Sequence, residues 1–356
     1  AASMFRRLVG LVLFYFYYYF LLLPLPKALA SKDTLELSTE FPDVDLVNEY
    51  AELSELIYRN SKQDPNLPFD WELEFYEDRV STGNVMVISS FEKKQIGVVF
   101  AGSDGVNDWL DDMDITQEPF GPKFDPINKH AWVHSGFNNV LFFKRAYEKK
   151  NMFDRIESTV YDILNRDNGV DYEVFLSGHS LGAALSVLLG AGLAHNHPDR
   201  QFTVVNFGCP RVGSKKFKKW SNRLENLGVW RFVFHKDVVA RLPSSWTLFY
   251  HTGHTIQLEK SNDRGAQAYY LHEGDKKLNF AGVPSDWDGG KSADNHYMSN
   301  YLNYLQTLSM NDTELYYVSS FEEKEVTDSL DEVHVKKESL TEEVTTFLRT
   351  VKKAMQ

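Results

Sequence analysis

Three residues of the types that carry out nucleophilic acyl chemistry occur along the chain in a usable order. Ser180 lies in the segment Gly178-His179-Ser180-Leu181-Gly182, between an apolar run and a run of small residues. A serine hydroxyl becomes a nucleophile when a histidine takes its proton and a carboxylate orients that histidine. Asp237 and His296 both follow Ser180 in the chain. This order predicts a catalytic triad of Ser180, Asp237 and His296.

The surroundings of these residues favour that interpretation over a chance match. A G-x-S-x-G motif is short, but here it follows an apolar strand pattern and opens a helix pattern, as a nucleophile elbow requires. Asp237 comes directly after the apolar run 229–235, where a loop at the sheet edge would begin. His296 lies in a loop-like stretch rich in Gly and Asp. Each interval leaves room for about two β/α units, so all three residues can return to one sheet edge.

Strand and helix patterns alternate along the middle of the chain. Apolar runs predict strands over 84–91, 95–102, 172–178, 202–208 and 229–235. Helical spacing of apolar residues predicts helices over 44–60, 138–165, 181–195 and, as a short basic helix, near 214–226. Continuous apolar strands separated by helices predict an α/β fold with a mostly parallel central sheet and helices on both faces.

Other titratable residues compete for these roles. Asp199 follows a proline in a loop that ends a helix, which is typical of a turn residue. His251, His254 and His272 also follow Asp237, and each is more typical of a structural histidine than of a general base. No cluster of carboxylates or cysteines completes a metal site with them, and the acidic run 103–114 lacks the alternating ligands of a calcium loop. We therefore expect no metal and no organic cofactor.

The two ends of the chain differ in composition from the middle. Residues 1–30 combine a basic start, an apolar segment and the small-residue pattern Ala28-Leu29-Ala30, which predicts a signal peptide; an uncleaved membrane anchor is the alternative. Residues 31–306 are expected to form the catalytic domain. Residues 307–356 are acidic and read as an appendage that carries a terminal amphipathic helix at 339–356 and a possible glycosylation sequon at Asn311.

Charge and cysteine content exclude several classes of protein. The chain of 356 residues carries 50 acidic and 38 basic residues, a net charge of −12, which disfavours nucleic acid as a partner. Simple electrostatic attachment to an anionic membrane is disfavoured for the same reason. Cys209 is the single cysteine, so no disulfide forms within the chain, and the oligomeric state is left open.

Several stretches together resemble the fungal-type class 3 lipases, a branch of the α/β-hydrolase fold. They stand in the family's order over about residues 45–305 and read VVFAGSDGVNDWLDDM, VHSGF, GHSLGAAL, NFGCPRVG, HKDVVARLP and DNHYMSNYL. By position the family's triad falls on Ser180, Asp237 and His296. The resemblance implies an oxyanion hole formed by Ser103 and the backbone N–H of Leu181.

The resemblance also implies a lid and shows three departures from the family. Val106, Trp109 and Leu110 are expected to form the apolar face of a short lid helix that opens at an oil–water interface. Ala101 stands where the family has an arginine, Ala183 replaces a second glycine after the nucleophile, and Ala240 replaces a common proline.

The expected protein is a secreted serine ester hydrolase, most simply a triacylglycerol lipase acting on lipid esters at an oil–water interface with transient membrane or micelle contact. A phospholipase, galactolipase or feruloyl-type esterase is the alternative within the same family. A non-catalytic lipid-binding protein on the same fold is a third possibility, which the three filled triad positions disfavour.

Overall fold

The computed structural model describes residues 44–59, 67–68, 70–78, 83–103, 115–121, 131–166, 171–243, 247–261, 265–271, 291–309 and 316–317. Its strands are β1 (Glu72–Glu77), β2 (Val85–Ser90), β3 (Gln95–Phe100), β4 (Gln117–Pro119), β5 (Trp132–His134), β6 (Glu173–His179), β7 (Phe202–Phe207), β8 (Leu227–Phe234), β9 (His254–Ser261), β10 (Gly265–Leu271) and β11 (Tyr316–Tyr317). Its helices are α1 (Val44–Arg59), α2 (Ser135–Phe142), α3 (Met152–Arg166), α4 (Leu181–Asn196), α5 (Lys215–Ser221), α6 (Lys291–Asp294) and α7 (Met298–Ser309).

A mostly parallel sheet runs through the centre of the fold. The strand order is β1-β2-β3-β6-β7-β8-β9-β10-β11. The strands β3, β6, β7, β8 and β9 pair in parallel, whereas β1, β2 and β10 add antiparallel edges. The predicted α/β-hydrolase architecture, a mostly parallel sheet between helices, is confirmed.

Helices cover the sheet on both faces, and each face buries its own apolar core. On one face α2, α3 and α4 contribute residues such as Phe137, Ile156 and Leu185. On the other face α1 packs against α7 and contributes Tyr50, while α7 contributes Tyr301. Helix α4 is apolar on nearly every side and buried along its length, as expected for a central helix in an α/β fold.

The prediction of a single long helix over 138–165 is wrong. Helix α2 ends at Phe142 and α3 starts at Met152. The turn between them is closed by reciprocal bonds, since Arg145 N donates to Glu148 Oε2 at 2.9 Å and Glu148 N donates to Arg145 O at 3.0 Å. Asn151 Oδ1 then accepts from Asp154 N at 2.8 Å, which is an N-cap geometry. These local bonds compete successfully with helix continuation.

The remaining helix and strand predictions hold with shifted ends. The basic helix expected near 214–226 stops at Ser221. In the part of the chain that the structure describes, no helix has the length and apolar character needed to cross a bilayer. The predicted signal peptide, residues 1–30, and the terminal helix at 339–356 lie outside the described residues and stay predictions.

The C-terminal end of α4 depends on one buried amide. Asn226 Nδ2 donates to three carbonyls, Ala194 O at 2.9 Å, His197 O at 3.0 Å and Arg200 O at 2.9 Å. Two amide hydrogens are thus shared among three carbonyl oxygens at the C-terminal end of α4, where the carbonyl groups have no donors within the helix. Because helix ends leave carbonyls unsatisfied, the side chain replaces solvent at a site that is largely buried.

We expect Asn226→Ala to lower the free energy of unfolding by about 1–3 kcal/mol, because the carbonyls lose a buried donor. Urea unfolding followed by circular dichroism measures this change. The matched control is Asn165→Ala, which removes one exposed bond to Tyr161 O and should change stability by less than about 0.5 kcal/mol. Equal midpoints for the two variants would contradict the role assigned to Asn226.

Candidate active site

Ser180 occupies a strained turn between β6 and α4. Its backbone has φ 58° and ψ −122°, a conformation that non-glycine residues rarely adopt and that costs about 1–3 kcal/mol. A Cβ on Gly178 would lie 2.6 Å from the backbone of Gly182, and a Cβ on Gly182 would clash with the carbonyl of Phe100. Both glycines therefore permit the close approach of strand and helix. The predicted strand–turn–helix arrangement is present.

Asp237 and His296 meet in the protein interior. Asp237 follows β8, and His296 precedes α7. Asp237 Oδ2 lies 2.8 Å from His296 Nδ1, and neither side chain is exposed to solvent. The carboxylate can only accept, so Nδ1 carries the hydrogen in this bond. Nε2, the other ring nitrogen, is buried and has no hydrogen-bond partner among the described residues.

The second oxygen of Asp237 is held by backbone amides. Oδ1 accepts from Val239 N at 2.8 Å and from Ala240 N at 3.4 Å. A proline at position 240, which the family commonly has, could not donate the second of these bonds. The substitution to alanine thus gives this chain an additional donor to Asp237.

Ser180 and His296 lie on either side of the end of β7. Ser180 N donates to Phe207 O at 3.1 Å. The next residue, Gly208, has φ 61°, and a Cβ there would lie 2.9 Å from both Asp237 Oδ2 and His296 Cε1. Gly208 therefore has both a conformational and a steric reason to be glycine. Asp237 and His296 are thus in contact beside Gly208, and Ser180 is bonded to Phe207, the residue before it.

Tyr301 is part of the site and was not predicted from the sequence. Its hydroxyl donates to Asp237 Oδ2 at 2.5 Å, and the side chain is fully buried in α7. Burial, followed by the charge of Asp237, raises the pKa of Tyr301 well above its usual value. The hydroxyl thus stays protonated and remains a donor. Its position five residues after His296, on an aromatic helix, was the available sequence signal.

His179 belongs to the G-x-S-x-G motif, but its contacts could not be predicted from the sequence. His179 Nε2 lies 2.6 Å from the carbonyl oxygen of His296, so Nε2 carries the hydrogen. His179 Nδ1 then accepts from the hydroxyl of Tyr58 at 2.7 Å. Burial, and next the nearby His296, lower the pKa of His179 well below its usual value. A neutral His179 therefore supports the main chain of His296.

The residues expected to form an oxyanion hole, Ser103 and Leu181, are each one residue from the contact between Gly102 and Ser180. Ala101 N donates to Asn84 O at 2.8 Å, which fixes the start of the loop 101–103. A Cβ on Gly102 would lie 3.0 Å from Cβ of Ser180 and would collide with the hydroxyl of Tyr58. Ser103 follows directly and is partly exposed. Leu181 is the first residue of α4, where backbone N–H groups lack acceptors within the helix.

A buried arginine, Arg231, lies within electrostatic range of Asp237. Arg231 on β8 donates from Nη1 to Thr255 Oγ1 at 2.7 Å and from Nη2 to Cys209 O at 3.2 Å. Burial lowers the pKa of Arg231, and the charge of Asp237 acts in the opposite direction. Burial likewise raises the pKa of the Cys209 thiol to about 11.

The competing residues have other roles or lie outside the described part. His251 Nε2 lies 3.4 Å from Arg231 Nη2, and the ring of His254 lies 4.8 Å from that of Trp230. Asp199 is exposed, as expected of a turn residue. Among the described residues, no group of three His, Cys, Asp or Glu side chains could hold a metal ion.

The lid candidates cannot be compared with the structure. Val106, Trp109, Leu110 and most of the acidic run 103–114 lie outside the described residues, as does His272. The lid therefore stays a prediction.

Known proteins resemble this chain in both sequence and structure. The family model described as lipase (class 3) matches residues 97–246. This match confirms the predicted resemblance to the class 3 lipases. It includes Ser103, Ser180 and Asp237 but ends before His296, whose position rests on the geometry above.

Curated relatives of this chain are plant enzymes by name. Phospholipase A1-IIbeta of Arabidopsis thaliana is 25% identical over 182 residues, which is 45% of this chain and 44% of the relative. The chloroplastic galactolipase DONGLE of Arabidopsis thaliana is 28% identical over 180 residues, 45% of this chain and 37% of the relative. The chain thus spans less than half the length of these relatives.

Solved structures of fungal lipases share the fold. The Rhizomucor miehei lipase propeptide complex is 20% identical with a TM-score of 0.56, covering 72% of this chain and 80% of that chain. A triacylglycerol lipase from Penicillium expansum is 21% identical with a TM-score of 0.52, covering 67% of this chain and 89% of that chain. At this identity the likeness establishes the α/β-hydrolase fold.

We expect Cys209 to react at least about 100-fold more slowly in the folded protein than in the unfolded chain at pH 8, because its pKa rises from 9.0 to about 11 and the thiolate is the reactive species. Burial slows the reaction further. Absorbance after addition of an aromatic disulfide reagent, with and without denaturant, measures both rates. Rapid labelling of the folded protein would contradict the burial of this thiol.

Proposed function

We propose that this chain is a serine carboxylic ester hydrolase that acts on the acyl esters of lipids. The observation that carries the proposal is the buried 2.8 Å bond between Asp237 and His296, beside a serine held on a strained elbow. Together these groups supply a nucleophile, a base and a group that orients the base.

In the proposed acylation step, Ser180 Oγ attacks the ester carbonyl while His296 Nε2 takes its proton. His296 then returns that proton to the leaving alcohol. Asp237 holds the hydrogen on Nδ1, so that Nε2 is free to act as base, and it stabilises the imidazolium that forms. Water, activated by the same nitrogen, then releases the acyl group as a carboxylic acid. The two steps together consume one ester and one water and release an alcohol and a carboxylic acid.

Charge develops on the carbonyl oxygen during both steps. We assign its stabilisation to the backbone N–H groups of Ser103 and Leu181. The positive end of the α4 dipole acts in the same direction. Loss of one such donor typically removes about 2.7–4 kcal/mol of transition-state stabilisation. The tight packing of Gly102 against Ser180 supports a fixed distance between nucleophile and donors.

Two residues position the base without touching substrate. Tyr301 and the backbone amides after Asp237 keep the carboxylate in one orientation. His179 holds the main chain of His296 from the opposite side. The base is therefore fixed through its side chain and through its backbone.

Triacylglycerol is the first substrate candidate. The three-dimensional likeness to a fungal protein named as a triacylglycerol lipase is compatible with it. Polar glycerolipids are a second candidate, since the curated relatives are named as phospholipases A1 and a galactolipase. Secretion remains a proposal that rests on the signal-like residues 1–30.

We expect Ser180→Ala to lower kcat for a soluble p-nitrophenyl ester by about 10⁶-fold, because the variant lacks the nucleophile. A fluorophosphonate should label the wild-type chain once, and peptide mass spectrometry should locate the label at Ser180. The control is Ser186→Ala, which changes a buried serine on the same helix that bonds to Ala183 O. Equal rates for Ser180→Ala and wild type would exclude the proposed nucleophile.

We expect triacylglycerol to be cleaved faster than phosphatidylcholine or monogalactosyldiacylglycerol with the same acyl chains. Fatty acid release measured at constant pH, with each lipid dispersed in the same detergent, gives the ranking. Faster release from a polar lipid would move the assignment to the second candidate. The uncharged detergent keeps differences in surface charge out of the comparison.

A further inference from the structure

The turn that interrupts the expected helix exposes aromatic and basic side chains together. We name residues 143–150 the basic loop. Phe143 is 60% exposed and Tyr147 is 76% exposed, the largest exposed fraction among the large apolar side chains of the described residues. Four basic residues share the loop and are exposed: Lys144, Arg145, Lys149 and Lys150.

Two acidic groups near the basic loop are in contact with Arg155. Glu148 bonds to Arg145 N and lies 3.8 Å from Arg155 in α3. Glu77 receives two bonds from Arg155, at 2.9 and 2.8 Å. Both carboxylates thus face the same guanidinium. Within the loop four basic residues stand against the single carboxylate of Glu148, so the loop carries local positive charge in a chain whose net charge is −12.

The basic loop is an ordered structure. Reciprocal bonds between Arg145 and Glu148 close its turn, and Arg145 Nη1 donates to the hydroxyl of Tyr147 at 2.9 Å. At its end Arg155 donates to Lys150 O, and Lys150 Nζ donates to Ser158 Oγ. The exposed aromatic residues are therefore presented by a braced turn, which lowers the entropy lost on binding.

The hydrogen bonds of Arg155 to Glu77 and Lys150 place the basic loop at the end of the sheet that carries the candidate active site. Glu77, which holds Arg155, pairs with Val85 on β2. Val85 pairs with Phe100 on β3, and Phe100 pairs with Gly178, two residues before Ser180. Three strand spacings separate Glu77 from Gly178, about 14 Å. The loop and Ser180 thus lie at the same end of the central sheet.

We propose that the basic loop docks on an anionic phospholipid surface and holds the active-site edge of the sheet against it. Aromatic side chains favour the boundary between water and lipid, and each Lys or Arg near an anionic leaflet strengthens binding. The loop supplies both kinds of group side by side. The net negative charge of the chain does not prevent this binding. Charges farther from the membrane than a Debye length are screened, so the charge of the loop itself determines the attraction. This proposal rests on a lipid substrate as proposed above.

A fluorophore on the loop tests insertion directly. Tyr147→Cys and, as matched control, Phe91→Cys are each labelled with an environment-sensitive nitrobenzoxadiazole; buried Cys209 stays unlabelled. Phe91 is 66% exposed in the turn between β2 and β3, at the opposite end of these strands. Vesicles of ether-linked phosphatidylcholine, with or without ether-linked phosphatidylglycerol, resist hydrolysis. We expect blue-shifted, brighter emission from position 147 only, and only with phosphatidylglycerol.

Charge removal tests the electrostatic part. We expect Lys144→Gln/Arg145→Gln/Lys149→Gln to weaken partition onto the anionic vesicles by about 100-fold, from the contribution of three basic residues near such a surface. The control Lys215→Gln/Lys216→Gln/Lys219→Gln removes the same charge from α5. Both triple variants should keep wild-type turnover of a soluble ester. Residues 1–43 are identical in all variants, so any binding through them is common to all.

Three results would overturn the docking proposal. The first is no emission change at position 147, and the second is an equal change at position 91. The third is equal loss of binding in the two triple variants. A response of position 147 to soluble polyglutamate, but not to vesicles, would assign the loop to an acidic protein instead. Absence of ester turnover in the wild-type chain would refute the proposed function, while vesicle binding would still decide the docking proposal.

Discussion

The buried carboxylate of Asp237 is the constraint on which the rest of the site depends. An ionised group without solvent is stable only when hydrogen bonds and opposite charge replace its hydration. Here the replacement comes from separate parts of the chain: the backbone N–H of Val239, the ring of His296 and the hydroxyl of Tyr301. Arg231 adds positive charge from β8. Burying one charge thus fixes the loop after β8, the segment around His296 and helix α7 relative to one another.

The sequence indicates those parts of the candidate site that depend on local pattern. A strand, a small-residue turn and a helix mark Ser180 as a candidate nucleophile, and chain order with loop context marks Asp237 and His296 as its candidate partners. Tyr301 could not be predicted in the same way, because its role depends on α7 packing over the end of β8. His179 is equally dependent on the fold, since its partners are Tyr58 from α1 and the carbonyl of His296.

The helix expected over 138–165 shows a different limit of sequence pattern. Its apolar residues keep helical spacing, yet the structure breaks the helix where side chains can satisfy the backbone locally. Glu148 and Asn151 each accept from a main-chain N–H three residues away, a competition that periodicity does not detect. The break leaves Phe143 and Tyr147 in solvent, against the usual preference for burial. Such a conflict between local and global preference is expected at functional positions.

Two buried histidine rings lie close together in the candidate site, and the proposed mechanism needs only one of them to become charged. The rings of His179 and His296 are 4.4 Å apart. In the proposed acylation step His296 accepts the proton of Ser180, and a protonated His179 would oppose the new charge at short range. Burial and the proximity of His296 lower the pKa of His179, which keeps it neutral. A neutral His179 keeps its Nε2–H on the carbonyl of His296, so this bond would persist through the proposed step in which His296 is charged.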